Sequence, residues 1–197
     1  MKKYILLALS IVYFSCKAQQ TYPMNQDYSD YLINNNYIKD TNNDLNKFVG
    51  VWKWTSPTNP STYFEVHLIK VLNWKYPSDK FKYYRDVIFG NYKYVENGII
   101  VTNNLNRNNY NSTIYGQTPI IIADSRDSQF KNLSIIMRDI LKNDKLCKPE
   151  LNIINLTSVP LTANWTLIET GQIMINPQRP AALAGFSIPT NIVLTKQ

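Results

Sequence analysis

Few residues in this sequence have types and spacings that could support chemistry. The one histidine, His67, follows Glu65 by two positions in Phe64-Glu65-Val66-His67-Leu68. Residues two apart on a strand share a face, so Glu65 and His67 would lie opposite the apolar Phe64, Val66 and Leu68. This pattern predicts either a ligand-binding pair that lines a polar pocket or a solvated pair on the outside of a strand.

A second group is Tyr83-Tyr84-Arg85-Asp86, the densest cluster of polar and aromatic side chains. Because successive strand residues face opposite ways, one of Arg85 and Asp86 should face inward. An inward Arg85 could bind the carboxylate of a ligand in a bidentate manner. The alternative is a buried structural arginine, paired with a carboxylate on a neighbouring strand.

The sequence lacks the residues that most catalytic and metal sites require. One His and two Cys are too few for a common zinc site. The 14 acidic residues form no Asp-x-Asp-x-Asp loop, no Gly-x-Ser-x-Gly elbow occurs, and the 6 glycines form no phosphate-binding loop. We therefore predict no catalytic residue, no metal site and no cofactor.

The N-terminal residues have the pattern of a targeting signal. Lys2 and Lys3 precede an apolar run from Tyr4 to Phe14, which is shorter than the roughly 20 helical residues that span a bilayer. Residues 1–15 are therefore predicted to be a signal peptide. The Ser15-Cys16 that follows resembles the lipobox of bacterial lipoproteins, which implies that Cys16 is lipidated and anchors the protein to a membrane. The alternative is an ordinary signal peptide in which Cys16 has no role.

The remaining chain divides into two parts. Residues 16–46 are polar and Asn-rich, which predicts the lipidated Cys16 and a tether, with one helical turn from Asp40 to Lys47. Residues 47–197 consist of short β-prone runs bounded by Gly, Pro and Asn. Their number and spacing predict an all-β domain of about 8–10 antiparallel strands, folded as a barrel or as a sandwich.

The predicted strands are short and regularly spaced. They are Val49 to Thr55, Thr62 to Leu72, Tyr83 to Val95, Ile99 to Thr102, Ser112 to Tyr115, Pro119 to Ala123, Leu133 to Arg138, Leu151 to Ile154, Trp165 to Glu169, Gln172 to Ile175 and Asn191 to Lys196. Asn97-Gly98 predicts a tight hairpin, because both central residues of a type I′ turn need positive φ. Thr170-Gly171 predicts another turn.

The basic charge of the chain is dispersed. Lys and Arg number 21 against 14 acidic residues, a net charge of +7, and removal of Lys2 and Lys3 leaves 19 and +5. No Lys/Arg block or recognition motif occurs, so we predict no nucleic-acid partner. The charge either keeps the surface soluble or, at Lys17, Lys39 and Lys47, holds the tether near anionic lipid.

Two motifs resemble those of lipocalin-like barrels. Gly50-Val51-Trp52 is similar to the Gly-x-Trp signature of the first lipocalin strand, and Asn191 to Lys196 resembles the last strand, which ends in a basic residue. This resemblance implies that Trp52 closes one end of the barrel and that Lys196 lies over its ring as a cation–π contact. The later Thr-Asp-Tyr type of signature is missing from the sequence.

The ordered motifs also resemble an uncharacterised family of small Bacteroidota lipoproteins. The motifs are Ser15-Cys16-Lys17-Ala18-Gln19, Thr21-Tyr22-Pro23, Tyr37-Ile38-Lys39-Asp40, Leu45-Asn46-Lys47-Phe48-Val49-Gly50-Val51-Trp52, Tyr83-Tyr84-Arg85-Asp86-Val87 and Leu194-Thr195-Lys196-Gln197. This resemblance implies a lipid-anchored protein of the bacterial cell envelope and no particular activity. No acidic residue closely follows Cys16, which favours the periplasmic face of the outer membrane.

Two functions are compatible with these observations. The first is a membrane-anchored module that binds a small apolar or amphipathic ligand inside a lipocalin-like barrel, with Arg85 and His67 as candidate ligand contacts. The second is a structural or protein-interaction module of the envelope, whose barrel is filled and holds no ligand.

Overall fold

The structure is a computed structural model that describes residues 19–24, 35–76, 82–110, 118–125, 129–167 and 181–197. Its strands are β1 (Thr21–Pro23), β2 (Tyr37–Lys39), β3 (Gly50–Thr55), β4 (Tyr63–Lys75), β5 (Tyr84–Glu96), β6 (Ile99–Asn103), β7 (Ile121–Asp124), β8 (Asn132–Asp139), β9 (Lys145–Cys147), β10 (Glu150–Ile153), β11 (Thr162–Thr166) and β12 (Asn191–Lys196). Two short 3₁₀ helices are Asp44–Lys47 and Ile140–Lys142. Among the residues described, no helix is long and apolar enough to cross a bilayer.

Eight of these strands close into an antiparallel barrel. Around its wall the order is β3-β4-β5-β7-β8-β10-β11-β12, and each neighbouring pair is antiparallel. The circle closes where β12 pairs with β3, through Thr195 opposite Lys53 and Lys196 opposite Trp52. The prediction of an all-β antiparallel barrel is confirmed, at the lower end of the predicted strand number.

The up-and-down order gives the barrel two distinct ends. Because neighbouring strands alternate in direction, β3, β5, β8 and β11 all begin at the same end. We call this the proximal end, and it carries the β4–β5, β7–β8 and β10–β11 connections. The opposite, distal end carries the β3–β4 and β5–β6 turns.

Alternation along β4 separates the core from the outer wall, as predicted. Phe64, Val66 and Leu68 are buried inside, while Glu65 and His67 face outward. Val66 lies between Trp52 of β3 and Tyr92 of β5, which both point into the barrel. Burial of these large side chains on one face fixes the register, since a one-residue slip would expose all of them.

The predicted hairpin at Asn97-Gly98 is present between β5 and β6. Both residues have positive φ, 52° and 79°, as a type I′ turn requires. The Gly98 N–H donates to the carbonyl of Ser61, and the Asn97 N–H donates to the Thr62 hydroxyl. This turn is therefore joined to the neighbouring β3–β4 connection at the distal end.

Several strand boundaries differ from prediction. β11 begins at Thr162, three residues before the predicted Trp165, because Thr162 to Asn164 pair with β12 although they carry no clear apolar pattern. The three-residue β9 was not predicted and pairs with the end of β8. The predicted signal peptide 1–15, Cys16, the predicted strands Ser112 to Tyr115 and Gln172 to Ile175, and the predicted Thr170-Gly171 turn lie outside the described residues.

The described parts of segment 16–46 pack against the barrel, whereas the sequence predicted a separate tether there. β2 pairs in parallel with the start of β5, and β1 pairs in parallel with β2. Met24, Ile38 and Leu45 are buried in the main core. A three-residue strand with a single apolar side chain has no period to detect, which explains why this packing was not predicted. The predicted helical turn is confirmed as the 3₁₀ helix Asp44–Lys47.

Candidate functional site

The three residues of the lipocalin-like motifs meet at the proximal end. Trp52 is fully buried and its indole N–H donates to the carbonyl of Phe48 at 2.7 Å. The Lys196 ammonium lies 5.9 Å from the Trp52 ring centroid and donates to the Lys47 carbonyl at 2.9 Å. Burial lowers the pKa of Lys196, since a low-dielectric site disfavours its charge.

Gly50 leaves the space that this contact needs. Its φ is 125°, a value that L side chains rarely adopt, and a Cβ there would lie 3.2 Å from Cε of Lys196. A larger residue would therefore strain the backbone and push the lysine away from Trp52. The structure thus brings Gly50, Trp52 and Lys196 together into one closing contact.

Aromatic rings fill the barrel next to this contact. The Phe64 ring lies 5.4 Å from that of Trp165 and 5.8 Å from that of Tyr92, measured between centroids. All three rings are fully buried. Tilted pairs at these distances are favourable aromatic contacts. The interior around Phe64 is therefore occupied by the protein's own side chains.

A network of buried carboxylates lies beside this end and was not predicted. Asp86 accepts hydrogen bonds from the Tyr37 hydroxyl at 2.5 Å and from the Asp40 and Asn73 backbone N–H groups at 3.0 Å. Burial and the hydrogen bond to Asp86 raise the pKa of Tyr37. The network joins β2 and β5 to Asn73, which lies in a bulge of β4 between Val71 and Trp74.

Asp40 extends this network to the 3₁₀ helix. Its carboxylate accepts from the backbone N–H groups of Asp44 and Leu45, at the start of this helix, at 2.7 and 3.0 Å. It also accepts from the Lys70 ammonium at 2.7 Å. Asp40 and Asp86 therefore join β2, β4, β5 and the 3₁₀ helix.

His67, a candidate ligand contact, lies on the outer wall. Its Nε2 is 3.4 Å from Oε1 of Glu65, and both side chains are partly exposed. This is the solvated arrangement that the sequence left as the alternative to a pocket.

Arg85, the other candidate, also faces outward, while its neighbour Asp86 faces inward. Its guanidinium forms an ion pair with Asp124 on the neighbouring strand β7. Both side chains are largely buried. This is the alternative that the sequence left open, a buried arginine paired with a carboxylate on a neighbouring strand. The register of β5 turns Asp86 and not Arg85 toward the interior.

Arg85 nevertheless borders a groove of about 400 Å³ on the outer wall of β5, β7 and β8. Its lining includes Trp74, Tyr76, Tyr83, Arg85, Ile122, Asp124, Ser134, Ile136, Lys148 and Glu150. Trp74 lies near the end of β4 and Tyr76 directly follows that strand. A register shift between Val71 and Trp74 places Trp74 opposite Arg85, on the outer face. The aromatic pair Trp74-x-Tyr76 is the sequence signal for this surface.

The rings on the aromatic side of the groove pack against one another. Trp74 lies edge-on to Phe89 at 5.2 Å and to Tyr76 at 6.0 Å. Tyr76 stacks on Tyr83 at 4.9 Å with an interplanar angle of 13°. These contacts hold the rings as one wall of the groove.

Other reactive groups contribute little to a site. Among the described residues, no group of three or more His, Cys, Asp or Glu side chains could hold a metal ion. Cys147 is buried on β9, with its thiol 3.4 Å from the Lys145 carbonyl.

These observations define a small closed antiparallel β-barrel with a filled aromatic core and an aromatic groove on its outer wall. The chain belongs to DUF6705, a family of unknown function that matches residues 1–197. The prediction of membership in a family of unknown function is confirmed. No curated protein and no solved structure matches the chain.

Proposed function

We propose that the protein is a lipid-anchored protein of the bacterial envelope, attached through Cys16, that binds a small amphipathic ligand in its outer groove. The observation that carries this proposal is the combination of ordered aromatic rings with charged groups in one concave surface. A groove of about 400 Å³ falls within the usual size range of small-molecule sites.

The aromatic wall suits the apolar part of such a ligand. Because the rings of Trp74, Tyr76 and Tyr83 already pack against one another, they lose little conformational freedom when a ligand binds. The exposed Ile136 adds apolar surface on the opposite side. A flat apolar group could therefore stack between these two sides.

The polar border suits a head group with both donors and acceptors. Lys148 and Glu150 are exposed at the groove, and the Arg85–Asp124 pair is close to neutral as a unit. Charges of both signs favour a polar or zwitterionic head over one of strong single charge.

The groove replaces the barrel interior as the proposed ligand site. The rings of Phe64, Trp165 and Tyr92 occupy the interior where a ligand was first expected. The same filling supports the alternative, in which the protein binds no small ligand and its outer wall contacts another envelope protein.

A groove-filling variant tests the proposal. Ser134 is exposed on the outer face of β8 and lines the groove, so Ser134→Trp should block it without touching the core. Asn164→Trp, at an exposed position on β11, adds the same bulk elsewhere. The full chain would be purified from membranes and studied by native mass spectrometry and by solvent extraction.

We expect a bound small molecule in the wild type and in Asn164→Trp, and its loss in Ser134→Trp. A wild-type protein that carries no such molecule, and takes up none from an envelope lipid extract, would contradict ligand binding. That result would favour the protein-interaction role.

A further inference from the structure

We infer that the loop between β10 and β11, residues 154–161, lies in the surface of the bilayer to which the protein is anchored. Three large apolar side chains are exposed there: Ile154 by 51%, Leu156 by 40% and Val159 by 96%. The loop, Ile-Asn-Leu-Thr-Ser-Val-Pro-Leu, has no charged residue. Clustered exposed apolar side chains mark a surface that contacts a membrane or a partner.

The loop satisfies many of its own polar groups. The Asn155 side-chain oxygen accepts from the Thr157 backbone N–H at 3.0 Å and from the Thr157 hydroxyl at 2.9 Å. The Asn155 carbonyl accepts from the Ser158 hydroxyl at 2.9 Å, and the Ile154 N–H donates to the Thr162 carbonyl at 2.9 Å. Unsatisfied backbone groups are what make irregular loops costly in lipid, so this bonding suits a loop at the edge of the hydrocarbon.

The loop lies at the end of the barrel that an anchor on Cys16 would face. It connects β10 to β11 and so belongs to the proximal end. The N-terminal strand β1 pairs with β2, and β2 pairs with the first residues of β5 at this same end. Cys16 precedes the first described residue, Gln19, by three positions. This step rests on the proposed lipid anchor.

The charge around the proximal end identifies an anionic bilayer as the partner. Lys39 and Lys82 are exposed there, on β2 and just before β5. Lys131 is adjacent to the loop, since its carbonyl accepts from the Ile153 N–H at 2.9 Å. Basic side chains at the same end of the barrel as an uncharged apolar loop match the head groups and acyl boundary of an anionic membrane.

The test is a depth measurement on the full lipidated chain. Val159→Cys would be labelled with an NBD fluorophore and reconstituted into vesicles of phosphatidylcholine and phosphatidylglycerol. Ile99→Cys is the matched control, an apolar residue exposed by 71% at the distal end. Nitroxide-labelled lipids would quench a fluorophore that lies within the bilayer, and mass spectrometry of the N-terminal peptide would report the lipid on Cys16.

We expect quenching at position 159 to exceed that at position 99 by about twofold or more, with a blue-shifted emission. Equal quenching in a lipidated chain would overturn the inference about the loop and leave the proposed anchor intact. A chain without lipid on Cys16 would overturn both.

Discussion

Lys196 of the last barrel strand lies over the ring of Trp52 on the first, with its ammonium 5.9 Å from the ring centroid. The same ammonium donates to the Lys47 carbonyl, and the Trp52 indole donates to the adjacent Phe48 carbonyl. The pair therefore joins both sides of the closing seam to the 3₁₀ helix beneath it. Its removal should weaken closure of the barrel.

Replacement of Lys196 by methionine should lower the free energy of unfolding by about 1–2 kcal/mol, because the cation–π contact and one hydrogen bond are lost. Urea denaturation of the folded protein measures this. Lys53→Met is the control: its ammonium lies 4.5 Å from the Tyr63 ring centroid, but on the outer wall. If both variants lost equal free energy of unfolding, the Lys196–Trp52 contact would stabilise the fold no more than a cation–π contact on the outer wall.

Replacement of Asp86 by alanine should lower the free energy of unfolding by about 2–4 kcal/mol, because the Tyr37 hydroxyl and two backbone N–H groups lose their acceptor. Amide exchange in β2 should also accelerate, since Asp86 holds this strand to the barrel. Asp44→Ala, which removes a partly exposed carboxylate 3.7 Å from Lys47, should cost no more than about 1 kcal/mol. An Asp86→Ala protein as stable as Asp44→Ala would contradict the role of the buried network.

Stability should fall at high pH, with Tyr92 as one of the groups responsible. Burial, followed by the negative charge of Asp139, raises the pKa of Tyr92. Above about pH 10 the unfolded chain releases this proton while the folded protein retains it, so the unfolded state binds fewer protons and stability falls as pH rises.

Tyr92→Phe should make this alkaline decline shallower. Its effect at neutral pH should stay within about 1 kcal/mol, because the Tyr92 hydroxyl bond to the Arg138 carbonyl is long, at 3.4 Å. Thermal unfolding from about pH 8 to pH 11 measures the slope. A slope identical to that of the wild type would show that Tyr92 is not responsible.

Cys16 should incorporate lipid in a bacterium that processes lipoproteins. Metabolic labelling with an alkynyl fatty acid should mark the wild type, which should fractionate with membranes, and Cys16→Ser should lose both properties. Cys147→Ser should retain both, because Cys147 is buried on β9. Label that persists in Cys16→Ser would refute the lipidation site.

Local sequence patterns were enough to predict most of the barrel strands. The alternation in Phe64 to Leu68 and the turn at Asn97-Gly98 are both determined by residues adjacent in sequence. Both were predicted. β2 was not predicted, because Ile38 is its only buried residue and the strand depends on pairing with β5. Pairing between segments that are distant in sequence produces no periodic pattern in the sequence of either segment.

The site was harder to predict than the fold. Whether the Arg85 side chain faces into the barrel or outward depends on the register of β5 against β4 and β7. The local sequence from Tyr83 to Asp86 is compatible with both orientations. Trp74 and Lys148 meet in the groove although they lie far apart in the sequence. The Trp52–Lys196 contact was expected only through family resemblance, since no local rule links two such distant residues.

Closure through β3 and β12 has a consequence for how the chain is made. A polypeptide that leaves the ribosome or a translocation pore N-terminus first presents Gly50–Thr55 long before Asn191–Lys196. During that interval one edge of β3 has no partner, and an unpaired edge is prone to aggregation. The barrel therefore cannot close until the last strand has been made, so β3 keeps one unpaired edge through most of synthesis.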